Sequence, residues 1–129
     1  MVAQAEAQDA QLDRIFRALA DATRRDIVRR TIGGEQSVSA LAADYDMSFA
    51  AVQKHVAVLE AAELIVKRAD GRERLVRANP ATIARVRELL TRYEALWRAR
   101  IDRLEALLAE PDPEPNPDPR PEPDPEQRP

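Results

Sequence analysis

Residues 48 to 55 read Ser48-Phe49-Ala50-Ala51-Val52-Gln53-Lys54-His55, a capping serine, small residues and two long polar side chains within about two helical turns. Such a segment suits contact with a nucleic acid. Small residues let a helix end approach bases and phosphates, and the amides there, together with the positive end of the helix dipole, attract phosphate. The Gln53 amide can both donate and accept a hydrogen bond, as adenine N6 and N7 require. Lys54 suits guanine or a phosphate, and Ser48, Phe49, Ala51 and His55 complete the candidate face. Further along, Lys67, Arg68, Arg72, Arg74 and Arg77 stand against only Asp70 and Glu73, five cations to two acids and a local charge of +3. Cations that displace counterions from duplex phosphates add affinity with little sequence information. Any one of these positions would fit an ordinary solvated helix face; a whole face beside a basic segment fits that reading less well. Arg24, Arg25, Arg29 and Arg30 form another basic cluster, but at helical spacing some must turn towards Asp21 or Asp26, so a structural role is expected.

Catalytic readings find little support. His55 is the only histidine, there is no cysteine, and the three glycines, Gly33, Gly34 and Gly71, form no phosphate-binding loop. No catalytic residue, cofactor or metal is expected. The absence of cysteine also removes any disulfide framework.

The elements that must position these residues follow from periodicity. Leu12, Ile15, Phe16 and Leu19 keep the spacing of one helical stripe, predicting a first helix over about 10 to 20. Asp21 suits the cap of a second, through Ile27, Val28 and Ile32, that stops at Gly33-Gly34. Ser37 or Ser39 can cap a third with Val38 and Leu41, and Ser48 a fourth whose buried stripe is Val52, Val56 and Leu59. Residues 64 to 78 predict a β-hairpin turning at Asp70-Gly71. Asn79-Pro80 then starts a long helix, on which Val86, Leu90, Tyr93, Trp97, Ile101, Leu104 and Leu108 recur every three or four residues. So much apolar length exceeds what one small domain covers, and a second copy is expected to cover it.

This order predicts a mainly α fold with a small β-hairpin: a winged helix-turn-helix with a long C-terminal dimerisation helix. The expected organisation is a flexible N-terminus over 1–9, the winged domain over 10–109, and a disordered tail rich in proline and acids over 110–129. Nine of the ten prolines fall in that tail, with seven acids against two arginines, a charge of −5. The net charge of −3 therefore leaves +2 on residues 1–109. The chain begins with no basic flank and apolar run, and nowhere do about 18 apolar residues run together, so neither export nor membrane insertion is expected and the cytoplasm is the simplest address.

With these residues assembled, the chain resembles the ArsR/SmtB family of winged-helix repressors over about Leu12 to Leu108. The segments that carry the likeness are RIFRALADATRRDIVRRT, SVSALAADYDMSFAAVQKHVAVLEAAELI and VKRADGRERLVRANP. The resemblance implies a homodimer built from the first and last helices, with Leu12, Phe16, Leu90, Tyr93, Trp97, Ile101 and Leu104 at the seam. It also implies double-stranded DNA as partner, through a near-palindromic operator, and repression of transcription. Metal-sensing relatives carry Cys-Val-Cys-Asp-Leu-Cys where this chain has Ser37-Val38-Ser39-Ala40-Leu41-Ala42. A second family site uses Asp and His on the last helix, where residues 80–108 hold no histidine and Asp102 as their one aspartate. The likeness is therefore to metal-independent, autoregulatory members. Glu63 takes the place of the family's usual glycine after the fourth helix. The competing reading is a winged helix that serves as a protein adaptor, without sequence-specific DNA binding.

Overall fold

The computed structural model describes residues 2–109. Helix α1 runs Val2–Leu19, α2 Ala22–Gly33, α3 Val38–Ala43, α4 Phe49–Ala61 and α5 Pro80–Ala109. Three short strands, β1 Gln36–Ser37, β2 Ile65–Asp70 and β3 Glu73–Ala78, form an antiparallel sheet in the order β1-β3-β2. The chain divides into two units, one ending at Glu88 and one beginning at Leu89.

The largest fully buried side chains of the first unit are Ile15, Ile27, Leu41, Val52, Val56, Leu59, Leu64, Ile65 and Val76. They come from α1 to α4, the α4–β2 turn and both long strands, so one core fixes the helices against the hairpin. At about 1.5–3 kcal/mol for each large apolar side chain, their burial is the main force holding α4 and the hairpin in place. Val52, Val56 and Leu59 supply α4's share, which commits the opposite side of that helix to solvent.

Capping follows the expected residues. Asp21 accepts from the Arg24 amide at 3.0 Å, Ser37 from Ala40 at 3.0 Å and Ser48 from Ala51 at 3.1 Å. Guanidinium groups then satisfy the far end of α1: Arg24 donates to the carbonyls of Ala18 and Arg17, and Arg25 to that of Leu19. Carbonyls at a helix C-terminus lack intrahelical donors and carry the negative end of its dipole, so cations suit them.

Three features differ from the sequence-based expectation. Instead of starting near residue 10, α1 is already helical from Val2; alanine, glutamine and glutamate are strong helix formers, and no breaker separates them from Leu12. The hairpin turn lies one residue later than expected, because Asp70 pairs with Glu73 and leaves Gly71-Arg72 as the turn. Gly71 has φ +61°, the requirement of a tight hairpin turn with glycine at its first central position. Strand β1 adds a third member to the sheet, Gln36 pairing with Val76 and Ser37 with Leu75. Glu63 adopts the left-handed conformation, φ +61°, that the more usual glycine would take without strain. The tail at 110–129 lies outside the described residues.

Candidate nucleic-acid interface

Ser48 sets the start of α4. Its hydroxyl accepts from the Ala51 amide, which leaves the Phe49 and Ala50 amides as the outward donors of the first turn. Phe49, Gln53 and Lys54 are exposed, with Phe49 keeping 48% of its surface. Across from this face stands the wing, the β2–β3 hairpin. Together they line a cleft of about 430 Å³, with Phe49, Gln53 and Ser39 on the helical side and Lys67, Arg72, Glu73 and Arg74 on the wing. Residues separated by about twenty positions in sequence thus share one groove.

Electrostatics divide the wing. Arg68 forms a bidentate pair with Glu35, 2.9 and 2.7 Å, and its guanidinium holds the Glu35 carboxyl below the usual carboxylate range. Lys67 lies 3.6 Å from Glu60 and is mostly covered. Among the described residues, no ion pair engages Lys54, Arg72, Arg74 or Arg77. Of these, Arg72 and Arg74 stand near the hairpin tip, Lys54 is exposed on α4, and Arg77 lies near the base of β3.

His55 does not share the exposed face. Its Nδ1 lies 3.2 Å from Arg24 Nη1 and 3.8 Å from Asp21 Oδ2, so the ring is spent at the junction of α1, α2 and α4. Val56, one residue on, is in the core, and this position on the helix turns the imidazole towards α2. The four α2 arginines have structural work, as expected. Arg29 pairs with Asp26, while Arg30 donates to Asp44 at 2.6 Å and Gln36 at 2.9 Å and lies over the Tyr45 ring. Tyr45 in turn donates to Asp26 at 2.5 Å, which lowers the Asp26 pKa.

The residues expected at a dimer seam behave unequally. Leu12 packs against its own core, whereas Phe16 is 42% exposed. On α5, Leu90, Tyr93, Trp97 and Leu104 are exposed and Ile101 is half-buried. Leu96 and Leu107 are also exposed, and the single stripe read from sequence missed them because they lie beside it. Among the described residues, no three acids or histidines gather as a metal would require. No helix there is long and apolar enough to cross a membrane.

A family model described as a helix-turn-helix domain matches residues 19–68, from the end of α1 into the wing. The HTH-type transcriptional regulator Rv2034 of Mycobacterium tuberculosis is 41% identical over 81 residues, which span 63% of this chain and 76% of that protein. An ArsR-like transcriptional regulator from Rhodococcus sp. RHA1 superposes with a TM-score of 0.68 at 32% identity, covering 78% of this chain and 95% of that one. The homodimeric winged helix-turn-helix DNA-binding domain Mb0332 from Mycobacterium bovis shares the fold at 22% identity, with a TM-score of 0.59 over 72% of this chain and 88% of its own.

Proposed function

Because the chain belongs to the ArsR family of helix-turn-helix transcriptional regulators, whose members are DNA-binding proteins and not enzymes, we propose that it acts as a homodimeric, autoregulatory repressor on a near-palindromic operator. The observation that carries this reading is the cleft where exposed Gln53 and Phe49 of α4 face Arg72 and Arg74 of the wing. In that arrangement α4 enters the major groove, Gln53 and Lys54 meet base edges, and Ser48 and the first-turn amides meet a phosphate. Arg72 and Arg74 hold the flanking backbone. Lys67 and Arg68, tied to Glu60 and Glu35, shape the wing and contribute less charge to DNA.

The exposed apolar residues of α5 form the seam with the second copy. The homodimeric Mb0332 domain supports this assembly. Two recognition helices related by a two-fold axis reach successive major grooves about 34 Å apart, which is why the operator is symmetric. Repression works without metal: where thiolate ligands would stand, Ser37 caps α3 and Ala42 packs against the core. The cytoplasm is the proposed compartment.

A gel shift on the DNA upstream of its own gene, at graded salt, tests the proposal. Selective binding with a steep salt slope and a footprint over two half-sites is the expected result. Equal affinity for random duplex would overturn it in favour of a protein adaptor.

A further inference from the structure

Phe49 is the first residue of α4 after its cap, yet about half of its surface faces water. An aromatic ring there caps no amide, and it makes no contribution to the buried core. It lines the same cleft as Gln53, four residues along the helix, with Arg72 and Arg74 across from both. Residues four apart on a helix lie with their Cβ atoms about 5–6 Å apart, between one and two base-pair steps of about 3.4 Å.

We infer that Phe49 and Gln53 together read two A·T pairs within two steps of each other in each half-site, Gln53 taking adenine and Phe49 packing on a thymine methyl. This rests on the DNA-binding reading above. Gln53 supplies the donor and acceptor that adenine N6 and N7 match. Phe49 has neither, and the C5-methyl of thymine is the one apolar group that a base pair displays in the major groove. The surroundings select DNA as the occupant over a second copy of this chain. Arg72 and Arg74 flank the ring against the single acid Glu73, so pairing this face with itself brings cations together, whereas a polyanion neutralises them. The ring then sits on the base-facing side and the guanidinium groups on the phosphate side of one groove.

The test uses duplexes selected from a random pool by the full-length protein, with each thymine replaced in turn by uracil, which lacks the methyl, and each adenine by 7-deazaadenine, which lacks N7. Expected are one thymine per half-site where uracil weakens binding about fourfold, the effect of one buried methyl group, and one adenine within two steps where the deaza base weakens it about tenfold. Phe49→Ala should erase the uracil effect and leave the deaza effect, and Gln53→Ala the reverse. Both positions are exposed, and an unchanged circular dichroism spectrum and melting curve confirm that the variants fold. Selective binding that ignores every uracil substitution would overturn the role of Phe49 while leaving the regulator standing. A pool that yields no preferred sequence would overturn both.

Discussion

Leu64 donates its backbone N–H to the carbonyl of Leu59 at 3.0 Å, across a turn whose central residue, Glu63, is held at φ +61°. Glu63 itself donates to Glu60 at 2.9 Å, and the two bonds make the double closure that ends many helices with glycine at this position. A side chain there strains the backbone by about 1–2 kcal/mol. Glu63→Gly should therefore raise stability by about 0.5–1 kcal/mol, part of the relief being offset by the greater freedom of glycine in the unfolded chain and by loss of the Gln11 contact. Glu63→Ala keeps the strain and loses that contact, so its urea midpoint should fall below that of the native chain.

Arg24 has only donors, so the His55 Nδ1 that faces it at 3.2 Å is the acceptor and the ring's proton sits on Nε2. As the single histidine, His55 gives one unambiguous set of imidazole signals in a nitrogen-15 spectrum. In the neutral ring those signals should show an unprotonated Nδ1, and Arg24→Ala should move the ring towards a mixture of tautomers. The same substitution strips two carbonyls of α1 of their donor and should cost about 2 kcal/mol of stability.

Asp26 and Asp21 set the response to acid. The Tyr45 hydroxyl, then Arg29, lowers the Asp26 pKa; the Arg24 amide lowers that of Asp21. Carboxylates depressed in the folded state stabilise it fully above their ordinary value of about 4, and that contribution is lost as pH falls through their folded values. Unfolding midpoints should therefore hold from about pH 7 to about pH 5 and decline below about pH 4. Asp26→Asn should lower the plateau and flatten the decline; an unchanged acid limb would contradict this account.

The pairing of Arg68 separates it from its neighbours on the wing. Arg72→Ala should weaken specific and random DNA alike and reduce the salt slope by about one. Arg68→Ala should change the salt slope less, and loss of its exposed pair with Glu35 should leave stability little changed. Equal slopes for the two variants would show that DNA competes Arg68 away from Glu35.

Trp97 is the only tryptophan and is 63% exposed in the single chain. On the dimer reading, its emission should shift to longer wavelength as the protein is diluted through the dissociation range. Trp97→Asp should sediment as a monomer and bind operator at least tenfold more weakly, because two half-sites no longer act together.

The elements that carry the interface were legible because their signals are local. Ser48 marks a helix start, Val52, Val56 and Leu59 mark its buried side, and Gly71 marks a hairpin. What escaped depends on residues far apart in sequence. Arg68 meets Glu35 across 33 positions and His55 meets Arg24 across 31, and no spacing rule announces either pair. Strand β1 has only two residues, too few for an alternation to register, and exists because β3 offers it an edge. The early start of α1 rests on propensity alone, since residues 2 to 10 have no buried stripe.

Ser37 holds two posts at once, capping α3 with its hydroxyl and pairing with Leu75 of the wing through β1. Arg68, clamped to Glu35, adds a second stitch between the hairpin and the segment before α3. Both ties restrain the hairpin against swinging to suit a longer or shorter site. On the proposed DNA-binding reading the domain would act as a ruler: one extra base pair between a groove receiving α4 and a backbone meeting Arg72 would put the two contacts out of phase, and only one of them could be kept.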